Sequence, residues 1–160
     1  MQTRRPGAAL LAACVAALTA CGGTSAPLAG ADREWVANTG GVIDELERDV
    51  LLAGSGGDTI RAARQALDDQ SNLYTILVAY TDFGGCNHMV SAAGTPAERF
   101  ARVERILTTA CTLLQRAAVL FTRAVTHHDP SALLAATRTT LRASPLLTHA
   151  KIELDRVTGR

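Results

Sequence analysis

The side chains best suited to chemistry lie in one short stretch, Asp82-Phe83-Gly84-Gly85-Cys86-Asn87-His88-Met89-Val90. A thiolate, an imidazole and a thioether within four positions offer two chemistries. As a ligand set they suit a soft or borderline cation, copper or zinc. Alternatively, Cys86 oxidises with Cys111, the other cysteine of the same region, to a structural disulfide. Two more residues bear on the metal reading. Folding the last helix back on the one before it, about the joint at 128–129, brings His149 level with about Thr108, one turn from Cys111. Glu153 follows His149 by four, so the two share a helix face. His88, His149 and Glu153 are therefore the candidate metal ligands, beside Cys86 and Met89. The bridge consumes both thiols, however, and no CxxC or HxxxH spacing supports a metal. The disulfide is the preferred expectation, with copper or zinc binding as the alternative and otherwise no cofactor.

Other apparent motifs carry less. Asp82-Phe83-Gly84 spells a magnesium-binding signature, but no glycine-rich loop or catalytic loop accompanies it. Adjacent His127 and His128 point in different directions from a turn, and Asp129 after them suits a helix N-cap. No GxSxG, phosphate-binding loop or CxxCH appears. With no nucleophile–base pair or carboxylate dyad in view, a hydrolytic or redox enzyme ranks below a binding module.

The elements that position these residues read as helices; no period-two run competes with the helical ones. The spacing predicts a first helix from about Asp32 to Ala53. Trp35, Val42 or Ile43, Leu46 and Val50 form its inner face, and Asp44, Glu45, Glu47 and Asp49 an acidic, solvated one. Gly40-Gly41 is expected to kink it or delay its start. After the break at 54–58, a second helix is expected from an Asp58 N-cap to about Phe83. Its inner face is Ile60, Ala63, Leu67, Tyr74, Leu77 and Val78, and Gly84-Gly85 is its exit. "TPAE", Thr95 to Glu98, reads as a capping box opening a third helix. Its stripe is Phe100, Val103, Leu107, Cys111, Leu114, Ala118, Phe121 and Val125, with Arg102, Arg116 and Arg123 on another face. Asp129 and Pro130 open a fourth helix to about Val157, with Leu134, Leu141, Thr148 and Ile152 near one face. Pro145 is expected to kink or split it. Four such helices pack most simply as an all-α, antiparallel up-down bundle. The pairing of Cys86 with Cys111, about 22 Å into the third helix, then requires an extended loop from Cys86 to Thr95 lying along the bundle.

The amino terminus speaks to location. Arg4 and Arg5 precede an apolar run, Gly7 to Leu18, that is too short to span a bilayer and reads as an export signal. It ends in Leu18-Thr19-Ala20-Cys21. This resembles the lipobox of bacterial lipoproteins, in which the cysteine thiol receives diacylglycerol and cleavage precedes it. The resemblance covers residues 1–21 and implies a signal peptide over 1–20, lipidation at Cys21, and localisation outside the cytoplasm on the bacterial cell membrane. Residues 21–31 then form a lipidated cysteine and a small-residue tether, and 32–160 the helical domain. That domain also resembles, in general character, the small helical lipoproteins exported by GC-rich bacteria, a likeness that carries over no functional residues.

Charge narrows the partners. Lys plus Arg total 16 and Asp plus Glu 15; losing Arg4 and Arg5 with the leader leaves the remainder near −1. No basic footprint for nucleic acid exists. The expected partners are the membrane, through the lipid, and an envelope protein. The expected role is a binding or envelope-accessory module, with a small-ligand or metal-binding helical module as the alternative.

Overall fold

A computed structural model describes residues 28–160. The leader, the lipobox and Cys21 lie outside the described residues. Within them the chain is all-helical, with α1 Gly30–Gly54, α2 Ile60–Asp68, α3 Gln70–Ala92, a 3-10 turn Glu98–Phe100, α4 Ala101–His127 and α5 Pro130–Thr158. α5 packs along α4, α4 along α3, and α1 against both α3 and α5; the short α2 leans on α5 and α3. Phe83, Phe100, Ile43, Leu46 and Ile76 are among the largest side chains buried in the one core these helices share.

α1 runs unbroken through Gly40-Gly41, in place of the expected kink. Thr39 and Ile43 are buried on either side, so packing outweighs the roughly 1 kcal/mol that a helical glycine costs. The expected inner face holds at Trp35, Ile43, Leu46 and Val50, but Asp49 is buried with them, 4% exposed, and does not join the solvated acidic face. Beyond α1 the chain turns at Gly57, whose φ of 92° suits glycine. The preceding Gly56 backbone lies so close to α5 that a Cβ there would meet the Thr137 hydroxyl at 2.6 Å.

The expected second helix is two helices. Thr59, and not Asp58, caps α2, accepting from the Ala62 amide at 3.2 Å. The chain then leaves helical geometry at Asp69 (φ −93°, ψ 101°), whose carboxylate accepts from the Ser71 and Asn72 amides to start α3. That break resets the helical phase. α3 buries Ile76, Ala79, Tyr80, Phe83 and Cys86, while Tyr74, Leu77 and Val78, assigned inward by periodicity, are 70%, 47% and 43% exposed. α3 also does not stop at Gly84-Gly85 but continues to Ala92.

The disulfide forms as expected, with Cys86 and Cys111 bridged and their Cα atoms 5.4 Å apart. Its setting differs from the extended loop envisaged: Cys86 lies inside α3, so the bridge joins two helices. The connection to α4 comes later, and Thr95 caps nothing. The Trp35 indole donates to the Gly94 carbonyl at 3.2 Å and stacks on Phe100 with centroids 4.9 Å apart. The chain must therefore reach back to α1 before it can enter α4.

At the far joint the expected start holds. Asp129 accepts from the Ser131 and Ala132 amides, with Pro130 at the first helical position. α5 passes through Pro145 without splitting. Pro145 and Leu141, whose carbonyl loses its partner, both face solvent, where the orphaned group is open to water. Leu141 and Ile152 are 50% and 61% exposed; the inner face of α5 is Leu133, Thr137, Thr140, Leu147 and Leu154.

Candidate binding groove

The phase change at Asp69 leaves α3 apolar on its outer side as well as its inner one, and α4 rises beside it. Between them lies a groove in two adjoining cavities of about 330 and 220 Å³, which share Leu77, Phe121 and Val125 as walls. Its floor is aromatic. Tyr80 and Phe121 stack with centroids 4.4 Å apart and planes 10° from parallel, and Phe83 meets Tyr80 edge-on at 5.3 Å. The Tyr80 hydroxyl lies 3.4 Å from Thr140 Oγ1 of α5. Burial raises its pKa above 10.0, and the neighbouring Thr140 and Thr137 hydroxyls pull the other way. Tyr80 is therefore a neutral hydrogen-bonding anchor and cannot serve as a base near neutral pH.

The rim is hydroxyl-bearing. Thr81 and Thr122 donate back to the carbonyls of Leu77 and Ala118, at 2.9 and 3.0 Å, and Thr126 completes the edge. Among the described residues, no charged side chain lines either cavity. Such a surface recognises shape and apolar area and leaves a charged ligand unpaired. The disulfide at Cys86 and the hydrogen bond from Gln115 to the Gly84 carbonyl (3.4 Å) tie its two walls together just above.

The histidines lie elsewhere. His88 is exposed on α3, and the adjacent Met89 is half-buried against α1. His149 is exposed on α5, one turn before Glu153. Glu153 is buried and held by Arg156 at 2.6 and 3.0 Å, with Arg102 at 3.7 Å. The hydrogen bond from Arg156, chiefly, keeps its pKa below the ordinary 4.5. Among the described residues no group of three or more His, Cys, Asp or Glu side chains is placed to hold a metal ion. His128 closes α4 in the left-handed conformation (φ 50°), with its Nε2 3.1 Å from Asp68. His127 is exposed. The acidic flank of α1 is answered by Lys151, whose Nζ lies 2.6 Å from Asp44 and 3.3 Å from Glu47. The arginines of α4 pair elsewhere, Arg102 with Glu153 and Arg123 with Asp129.

Sequence reasoning named Phe121 as core and missed Tyr80. The signal was present in "LYTILVAY", residues 73–80. This run is apolar around the whole helix, more than one buried face requires.

No protein-family model matches the chain. Neither a curated protein nor a solved structure is similar to it.

Proposed function

We propose that the chain is a bacterial lipoprotein, exported by residues 1–20 and anchored outside the cytoplasm by diacylglycerol on Cys21, and that its helical domain is a binding module for an envelope partner. We read α1, α3, α4 and α5 as an antiparallel up-down bundle with α2 as a short inserted helix. The lipobox residues support the anchor. No helix among the described residues is long and apolar enough to cross a membrane, so that region offers no competing anchor.

The observation that carries the binding role is the uncharged groove over Tyr80 and Phe121, bordered by the exposed Tyr74 and Leu77. Apolar side chains exposed beside one groove mark a surface for recognition, whereas scattered ones do not. Its position fits a tethered module. Trp35 fixes the start of α1 beside Gly94, and Leu77 lies 15 residues before the end of α3 at Ala92, about 22 Å along the axis. The groove thus opens well away from the end at which α1 begins, which suits a domain tethered there.

Two measurements test this. Cys21→Ala should abolish incorporation of labelled fatty acid and release the protein from the membrane fraction; continued attachment removes the lipoprotein reading. A photo-crosslinker at Leu77 should give a discrete adduct in intact cells that Val125→Glu abolishes, while one at Arg138 should not. Equal labelling from both positions removes the groove.

A further inference from the structure

Asp49 is the most anomalous polar residue in the core. It projects from the buried side of α1, is 4% exposed, and its Oδ2 has no hydrogen-bond partner. The group across the seam is a second carboxyl, Asp82 of α3. Two carboxylates are acceptors only, so no bond joins them unless one holds a proton. The remaining charged groups acting on Asp49 are Glu45 and Arg48 of α1 itself. The lysine of α5, the other helix packed on α1, is engaged by Asp44 and Glu47. An ionised Asp49 would therefore lie buried against a like charge, opposed by Arg48 of its own helix but in no ion pair with it, a costly arrangement.

We propose that Asp49 and Asp82 form a proton-operated latch, a carboxyl pair that binds one proton to close α1 onto α3 and loosens that seam when the proton leaves. The pKa of Asp49 agrees with this: burial first, then the charge of Asp82, raise it from 3.8 to about 6. A folded-state value above the unfolded one means that the stabilisation is complete below about 3.8 and is lost as the pH rises through about 6. The latch therefore tightens in mild acid, the reverse of an ordinary ion-paired carboxylate. Asp82 meets α1, while the neighbouring Thr81 and Gly84 line the apolar groove on the α4 side.

The test uses the chain with its disulfide intact. Carboxyl carbon shifts should show Asp49 titrating near pH 6, and an ordinary titration of Asp49 below 4.5 would overturn the latch. Hydrogen exchange of the amides from Leu46 to Ala53, corrected for intrinsic rates, should rise by about tenfold between pH 5 and 8, the share of the linkage that falls in that window. Asp49→Asn, which supplies a permanent donor, should abolish that rise and melt at pH 8 no lower than the unchanged protein does. If it instead lowers the melting temperature equally at pH 5 and 8, Asp49 is a packing residue and no latch. Millimolar calcium or magnesium at pH 8 should leave the melting temperature unchanged. A rise that Asp49→Asn removes would make the pair a cation site and would likewise overturn the proposal.

Discussion

Tyr80 of α3 lies flat against Phe121 of α4, with ring centroids 4.4 Å apart, and its hydroxyl reaches Thr140 of α5. One side chain thus ties three helices together and floors the groove. The stack and the hydrogen bond separate by mutation. Phe121→Ala empties a buried aromatic site and should cost about 3–5 kcal/mol in urea unfolding. Tyr80→Phe keeps the stack and loses the bond to Thr140, at about 1 kcal/mol. Leu77→Ala, on the wall and 47% exposed, should cost under about 0.5 kcal/mol. A loss of partner binding in Leu77→Ala would then be a surface effect and not one of folding.

The bridge between Cys86 and Cys111 closes a loop with a sequence separation of 25. Chain-entropy arguments give it about 3 kcal/mol. Replacing both cysteines by alanine should lower the melting temperature by on the order of 10 °C. Both cysteines are 0% exposed. A reductant without denaturant should therefore act slowly, on the timescale of unfolding, and rapid reduction under native conditions would contradict the burial.

Gly84 and Gly85 test where α3 ends. The sequence reading makes them a helix exit, where alanine in the left-handed conformation would be destabilising. In the structure they sit mid-helix, and a Cβ added at either meets nothing within 4 Å. Gly84→Ala should therefore stabilise by about 0.5–1 kcal/mol. A loss of stability in thermal or urea melts would restore the exit and move Cys86 back into a loop.

Helical class, the disulfide pairing and the start of α5 were legible because each rests on local chemistry. Examples are the inner stripe of α4 from Val103 to Phe121 and the capping carboxylate of Asp129 before Pro130. The failures trace to long-range packing. Nothing in the sequence between Asp68 and Gln70 marks the break strongly, yet one non-helical residue at Asp69 rotates the rest of α3 and exchanges Tyr74 and Leu77 for Ile76 and Tyr80 in the core. The capping box at Thr95 lost to a contact about 60 residues away, the indole of Trp35 holding Gly94. The groove was illegible for the same reason: its walls at Tyr74, Leu77 and Val125 are residues that periodicity placed inside, and Tyr80 on its floor was assigned to no face.

Glu153 responds to pH with the opposite sign to Asp49. The bond from Arg156 holds its pKa below 4.5 in the folded protein. A carboxylate whose folded value is depressed stabilises the fold above its unfolded value, and that stabilisation disappears as the pH falls through the folded value. Glu153→Gln should therefore melt below the unchanged protein at pH 7, with a deficit that shrinks as the pH falls below 4.5. Arg156→Gln should reproduce the pattern more weakly, because Arg102 still lies 3.7 Å from Glu153. Melting curves of the two variants at pH 7 and 3 suffice. A deficit for Glu153→Gln that persists undiminished at pH 3 would assign Glu153 to packing and leave the ion pair without effect.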